Sequence, residues 1–352
     1  MVHSGNAQEM FTGTKDVADT HKFDEAKLEA WMVENVEGFQ GPLTVKQFKG
    51  GQSNPTYKLF AGGKTYVMRR KPPGKLLPSA HAVDREFRVI DALYPLGFPV
   101  ARPYGLCMDE SVVGTIFYIM DCVEGRILWD GTLPGMDPAE RRAIYEAKVK
   151  TFADLHNVDW RAAGLEGFGK EADYIARQTH RWTKQYVASE TKKIPEMDAL
   201  IDWLPKNIPA GDMTTIVHGD YRVGNMIMQG GKVQAVLDWE LCTLGDPLAD
   251  VGYLLNSWIQ PGEEGGDEHP IGAGGFSTRE DIAAAYEQHT GRDLSGINYY
   301  RAFSHWRLAA IGQGVYKRYL VGAMGEDRDI DLEQYKQSVH DRAAAALSLL
   351  EG

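Results

Sequence analysis

Two hydrophobic periods divide the chain. Alternating apolar and polar positions dominate before about residue 123, and spacings of three and four residues dominate after it, the signatures of strands and of amphipathic helices. Residues 1–22 follow neither period and mix Ser, Gly, Thr and Asp, which predicts a loose tail. A helix is expected from Asp24 through Leu28, Trp31 and Met32, until Gly38, Gly41 and Pro42 stop it. Three runs of β-branched and aromatic residues follow, Thr44 to Phe48, Thr56 to Phe60 and Lys64 to Arg69. With Gly50-Gly51 and Gly62-Gly63 between them they predict an antiparallel meander. Val83, Phe87, Ile90 and Tyr94 predict a helix that Pro95 and Gly97 end, and Gly114 to Met120 reads as a strand buried on both faces.

After Gly125, helical patterns run over about 138–156, 171–190, 196–204, 279–290, 298–320 and 331–350. In the last, Leu332, Tyr335, Val339, Ala343, Ala346 and Leu350 form one core-facing stripe. A single strand pair, Met226 to Gln229 and Val233 to Asp238, interrupts the helices and turns at Gly230-Gly231. Pro261 to Gly275, rich in glycine and acid, predicts a mobile surface loop. The fold class is therefore α+β: a tail at 1–22, a β-rich N-terminal lobe at 23–123, a hinge near 120–126 and a mainly helical C-terminal lobe at 124–352. A cleft between the lobes is the expected place for a small-molecule site.

Composition narrows the function. The 352 residues are 43% hydrophobic and 25% charged, enough for two packed lobes of a soluble protein. No run approaches the roughly 20 apolar residues of a membrane span. The N-terminus lacks the basic start and apolar core of a leader, so a cytoplasmic location is expected. With 38 basic and 49 acidic residues, a formal charge of −11 argues against nucleic acid and membrane as partners. Cys107, Cys122 and Cys242 lie far apart without C-x-x-C spacing, which predicts reduced thiols and neither disulfides nor a zinc site. Gly63-Lys64-Thr65 mimics the end of a Walker A loop, but Lys58 stands where its first glycine belongs and a strand follows, so a P-loop is excluded.

The densest chemistry lies in His218-Gly219-Asp220-Tyr221-Arg222-Val223-Gly224-Asn225 and in Asp238-Trp239-Glu240. A two-residue turn at Gly230-Gly231 pairs Gln229 with Lys232, sets Asn225 opposite Val236, and brings Asn225 and Asp238 together at the open end of the hairpin. An amide oxygen and a carboxylate are hard donors that suit Mg²⁺ shared with substrate phosphates. Asp220 lies close enough for a loop to aim its carboxylate at an acceptor hydroxyl. One acid to orient a nucleophile, with an Asn and an Asp for metal, are the minimum parts for transfer from a metal-bound nucleoside triphosphate.

This segment resembles the catalytic core of the aminoglycoside phosphotransferase and choline kinase-like branch of the protein kinase-like superfamily, where H-G-D-x4-N precedes a D-x-E-like motif. The resemblance covers about residues 25–350. It implies a protein kinase-like two-lobe fold, ATP and Mg²⁺ as cofactors, Asp220 and Arg222 as catalytic residues, and Asn225 and Asp238 as metal ligands. Gly50, Gly51, Ser53 and Asn54 fall where a glycine-bearing loop approaches phosphate. Arg69 stands where the next strand offers its cation to phosphates; alternation puts the adjacent Arg70 on the opposite face and leaves the choice open by one residue. Glu86 resembles the acid that pairs with this cation, and backbone amides from about Met120 to Val123 resemble the adenine-binding linker. His218 reads as a packing residue and Asp246-Pro247 as a helix cap, while Asp250 resembles the buried acid that pins the catalytic loop.

A kinase for a small-molecule hydroxyl is the leading expectation. A nucleotide-binding pseudokinase scaffold is disfavoured because Asp220, Asn225 and Asp238 are all present. A metal-dependent hydrolase built on His218, Asp220, Asp238 and Glu240 leaves the small lobe's glycine loop and cation without a role. Gly51 to Thr56, Arg70 to Gly74, Leu76 to His81 and Glu124-Gly125-Arg126 resemble the kinase-like domain associated with acyl-CoA dehydrogenases, which implies a hydroxy acid or hydroxyacyl-CoA acceptor. The alternative acceptor, an aminoglycoside or other amino alcohol, would suit Glu263-Glu264 and Asp267-Glu268. Tyr299, Tyr300, Phe303, Trp306 and Tyr316 are the expected aromatic wall for an acyl chain, and no protein partner is readable.

Overall fold

The computed structural model describes residues 8, 10–50, 54–74, 81–211, 213–258, 274–322 and 331–351. Gly51, Ser53 and nearly all of the expected loop at 261–275 lie outside them. The N-terminal lobe contains β1 (Thr14–Lys15), α1 (Glu25–Asn35), β2 (Thr44–Phe48), β3 (Thr56–Ala61), β4 (Lys64–Arg70), α2 (Val83–Leu93), β5 (Pro103–Cys107) and β6 (Phe117–Asp121). Its six strands form one antiparallel sheet in the order β1-β2-β3-β4-β6-β5. Asp24 starts α1 by accepting the Ala26 and Lys27 amides, as a helix N-cap should.

Strand alternation sorts the sheet's side chains into two cores. Tyr57, Leu59, Tyr66, Met68, Phe117 and Ile119 pack with Leu28 and Met32 of α1. Val67, Tyr118 and Met120 point the other way, toward Val89, Ile90 and Leu93 of α2, and join a core that continues into the C-terminal lobe. β6 is thus buried on both faces, as its apolar run requires. Each such side chain contributes roughly 1.5–3 kcal/mol by leaving water.

The C-terminal lobe comprises β7 (Arg126–Ile127), α3 (Pro138–His156), α4 (Tyr174–Ser189), α5 (Pro195–Trp203), β8 (Thr215–Val217), β9 (Met226–Gln229), β10 (Lys232–Val236), β11 (Thr243–Gly245), α6 (Pro247–Asn256), α7 (Arg279–Thr290), α8 (Ile297–Leu320) and α9 (Leu332–Glu351). Two small sheets, β10-β9-β7 and β11-β8, sit among the helices, and α8 packs against α4, α6 and α9. No helix among the described residues is long and apolar enough to cross a membrane. The three cysteines are free thiols.

The differences from the sequence reading have local causes. β5 escapes the pattern because Pro103 opens it and Gly105 sits at a register shift, both tolerated because it is an edge strand. β7, β8 and β11 are too short to display a period. The supposed tail contributes β1, paired with β2 through Thr14 opposite Phe48, and the Ala18 amide donates to Gln47. Tyr299, Tyr300, Phe303, Trp306 and Tyr316 are core, all buried; Tyr299 donates to the Leu204 carbonyl and Tyr300 to Asp246. They form no acceptor wall.

α6 and α8 approach through Gly252, where a Cβ would lie 2.6 Å from the Tyr300 carbonyl group and 2.9 Å from the Arg301 nitrogen. Gly314, also in α8, has open space around a built Cβ. Helix propensity alone favours alanine over glycine by roughly 1 kcal/mol, and overpacking against backbone costs about 1–3 kcal/mol. Thermal unfolding should therefore show Gly314→Ala raising Tm and Gly252→Ala lowering it. Stabilisation by both substitutions would contradict the close approach of the two helices.

Candidate active site

β4 directs its two adjacent arginines to opposite faces. Arg70 turns toward α1, donating to the Val113 carbonyl at 3.0 Å and lying over Phe23 and Tyr57. Arg69 enters the cleft, with Nε 2.7 Å from Glu86 Oε2 and Nη2 2.6 Å from Asp238 Oδ1. Glu86 is 1% exposed and also accepts from Tyr118 at 3.2 Å and Asn54 at 2.9 Å. Burial pushes the Glu86 pKa up even beside Arg69. Burial alone would pull the Arg69 pKa down, but the charges around it, Glu86 foremost, outweigh it and leave it raised.

The catalytic-loop segment is fixed from beneath. Asp250, on α6, accepts the His218 amide at 2.6 Å and the Gly219 amide at 3.0 Å. Burial would raise its pKa, but the His156 and His218 interactions leave it lowered. Gly219 has φ 84° and lies against the Leu241 backbone, so the position calls for glycine. His218 is fully buried, and its ring spends Nδ1 on the Asp220 amide and Nε2 on the Leu237 carbonyl. That leaves it no nitrogen for a metal or a reacting proton, and among the described residues no cluster of three or more His, Cys, Asp or Glu side chains could hold a metal. The hydrolase reading loses its histidine.

Asp220 itself is aimed by three neighbours. Tyr253 OH donates to Oδ1 at 2.6 Å, Asn225 Nδ2 donates to Oδ2 at 2.9 Å, and Arg222 Nε stands 3.2 Å from Oδ2. The hairpin differs from its expected register by one residue. A bulge between Val233 and Ala235 places Val236 opposite Met226, and the Leu237 amide donates to the Asn225 carbonyl. Asp238 follows in the left-handed region at φ 62°, a conformation that costs a non-glycine residue roughly 1–2 kcal/mol and that asparagine and aspartate tolerate better than most.

A cavity of about 650 Å³ between the lobes is lined by Gly50, Arg69, Met120, Val123, Arg222, Asn225 and Asp238. Among the described residues, Asn225 Oδ1 receives no donor, because its amide group has turned Nδ2 toward Asp220. That oxygen and the Asp238 carboxylate belong to residues that line this cavity, and as hard donors they fit Mg²⁺ held jointly with phosphates. Asp121 and Cys122 donate their amides to Arg102 and Thr65 carbonyls, so Val123 is the linker residue whose amide lacks an acceptor among the described residues. The Asn54 side chain is fully buried rather than lining the cavity, bonded to Glu86 and to the His81 ring. A second cavity, about 210 Å³, shares Arg222 with the first and is walled by Tyr145, Val223, Trp258 and Phe276.

This arrangement matches a family of known proteins, the model of the phosphotransferase enzyme family APH fitting residues 44–293. The chain belongs to the APH phosphotransferases. Human acyl-CoA dehydrogenase family member 11 is 43% identical over 325 residues, which cover 88% of this APH phosphotransferase and 42% of the human protein. The chain thus spans about two-fifths of the length of that relative. A solved structure from Ralstonia eutropha, described as a putative aminoglycoside phosphotransferase, is 46% identical with a TM-score of 0.83, covering 94% of this chain and 99% of its own. More distantly, aminoglycoside phosphotransferase APH(4)-Ia in a ternary complex with ADP and hygromycin B is 15% identical with a TM-score of 0.58, over 93% of this chain and 99% of that one. It shares the kinase-like two-lobe fold alone.

Sequence reasoning missed Tyr253 and the residues of the second cavity. Tyr253 had a usable signal, since it lies three residues after Asp250 on the helix that starts at Asp246-Pro247, and so shares its face. In this APH phosphotransferase, removing the Asp250 carboxylate strands two buried amides and a buried histidine. Asp250→Ala should cost about 2–5 kcal/mol in urea unfolding, whereas Asp220→Ala, which removes a side chain that is 27% exposed, should cost much less. Equal stabilities for the two variants would contradict the pinning role.

Proposed function

We propose that this phosphotransferase is an ATP-dependent, Mg²⁺-requiring kinase that phosphorylates a hydroxyl group of a small molecule. The observation that carries the reading is the Asp220 carboxylate, held by Tyr253 and Asn225 beside Arg222, the residue common to both cavities. The larger cavity takes the nucleotide, with adenine at Val123 and phosphates near Gly50 and Arg69. The smaller takes the acceptor. Asp220 orients the acceptor hydroxyl, whose oxygen forms the new bond to the γ-phosphorus as the bond to the β–γ bridging oxygen breaks. The hydroxyl proton passes to Asp220, ADP leaves, and Arg222 meets the charge of the transferred group. Mg²⁺, when bound at Asn225 and Asp238, would neutralise phosphate charge.

The acceptor we favour is a hydroxy acid or hydroxyacyl compound. Aromatic walls and, among the described residues, the absence of any carboxylate in the lining of the smaller cavity suit an acyl chain and oppose a polycationic sugar. The name of the human relative, a member of the acyl-CoA dehydrogenase family, points the same way. An aminoglycoside acceptor is the second reading, favoured by the description of the Ralstonia structure.

Calorimetric titration with Mg-ATP should show Asp238→Ala losing nucleotide affinity while Asp220→Ala keeps it, with kcat falling by orders of magnitude in both. Equal nucleotide loss in the two would sink the assignment, and a native protein that binds nucleotide but turns over no acceptor is the pseudokinase outcome. Tyr253→Phe removes a hydrogen bond to a charged group, worth roughly 1.5–3 kcal/mol, so steady-state kinetics should show kcat down about tenfold or more at nearly constant KM for ATP. A raised KM with unchanged kcat would place Tyr253 on the nucleotide side.

A further inference from the structure

Lys148 is the buried cation that the mechanism above does not use. It sits on α3, is 3% exposed, and lines the smaller cavity beside Arg222. Among the described residues its ammonium has no carboxylate and no hydrogen-bond acceptor. Its neighbours are the faces of Tyr145 at 5.2 Å and Trp258 at 5.1 Å. A charged amine removed from water without an anionic partner is costly, and cation–π contact returns only part of what hydration supplied. Burial, with Arg222 as a like charge nearby, pulls its pKa down to about 7. Lysine in such a place is held ready for an anion that the cavity receives from outside.

Its position relative to the reacting group is also fixed. Tyr221, the residue after Asp220, donates its hydroxyl to the Lys148 carbonyl at 2.9 Å, tying α3 to the catalytic loop. Tyr145 donates to the Gly131 carbonyl at 2.5 Å and packs edge-on against Trp258 with ring centroids 4.6 Å apart, which holds the wall behind the ammonium. Among the described residues, the cavity lining therefore carries two basic side chains, three aromatic side chains and no carboxylate.

We infer that Lys148 binds an oxyanion carried by the acceptor, so that the hydroxyl to be phosphorylated is anchored by a compact acidic group, a carboxylate, at the floor of the smaller cavity. This rests on the kinase reading and adds to it a specificity-determining residue and a charge requirement. The binding energy acts by orientation, holding one end of a flexible acceptor at Lys148 while the other lies beside Asp220. An aminoglycoside, bearing ammonium groups, would meet repulsion at this point.

The test is binding of a panel of short hydroxy acids, their uncharged amides and their CoA thioesters to native protein and to Lys148→Met, followed by calorimetry and by cyanate carbamylation of Lys148 read by mass spectrometry. Mg-ATP affinity in Lys148→Met serves as the check that the variant is folded. Expected are binding of one or more acids, protection of Lys148 by those acids, no binding of the matching amides, and a Kd for the acid raised about tenfold or more in Lys148→Met. Binding of the CoA thioester with equal protection of Lys148 would also support an oxyanion contact and assign it to the CoA phosphates. Amides binding as well as acids, or a variant that binds acids normally, would overturn the proposal and leave Lys148 a packing residue. If no member of the panel binds while Mg-ATP does, the oxyanion site is wrong and the kinase reading stands. Failure of the native protein to bind Mg-ATP would overturn the kinase reading and this inference with it.

Discussion

The buried Arg69 guanidinium joins the two halves of the molecule. It comes from the central sheet of the N-terminal lobe and is held by Glu86 of α2 in that lobe and by Asp238 of the C-terminal lobe. Removing one partner of such a buried set costs roughly 3–5 kcal/mol, because a charge is left without water or counter-ion. Everything around it serves that constraint: Tyr118 and Asn54 occupy the remaining valences of Glu86, and the β4 alternation that sends Arg69 into the cleft sends Arg70 to the opposite core. Asp238 is the shared member. In the proposed Mg-ATP complex, phosphates would join Arg69 while Asp238 turned to the metal, so nucleotide binding and lobe contact would draw on the same charges.

A second constraint holds the reacting group. Asp250 binds two consecutive amides from below, α6 carries Tyr253 one turn later to Asp220, and Gly252 lets α6 lie directly on the backbone of α8. One helix therefore sets both the height of the loop and the direction of its carboxylate. Preorganisation of this kind is what phosphoryl transfer asks of a protein, since the reaction needs positioning and charge stabilisation more than covalent help.

Much of this was legible in the sequence. The spacing of Asp220, Asn225 and Asp238 and the period-two facing of Arg69 are local properties, and Glu86 follows from one helical stripe. Helices α3 and α7 kept their expected bounds because caps such as Asp137 and Thr278 mark their starts. What was not legible depends on tertiary contact. The bulge near Gln234 shifts the hairpin by one residue without any turn signal, and β5 is a strand only because β6 lies beside it. The aromatic run of α8 fits a cavity wall or a core equally well by period alone, and the aromatic residues that do line the smaller cavity, Tyr145, Trp258 and Phe276, come from separate parts of the chain. The turn of the Asn54 side chain toward Glu86 was not legible either, because proximity in sequence says nothing of which way a side chain points.

The proposed reaction moves a phosphoryl group from ATP to an acceptor hydroxyl held beside Asp220. Its most direct measurement is ³¹P NMR of the protein incubated with Mg-ATP and, separately, hydroxy acids, hydroxyacyl-CoA esters and an aminoglycoside. Transfer to an acid or acyl compound should give a phosphomonoester resonance that grows in step with ADP. ADP accompanied only by inorganic phosphate, whichever acceptor is present, would contradict it.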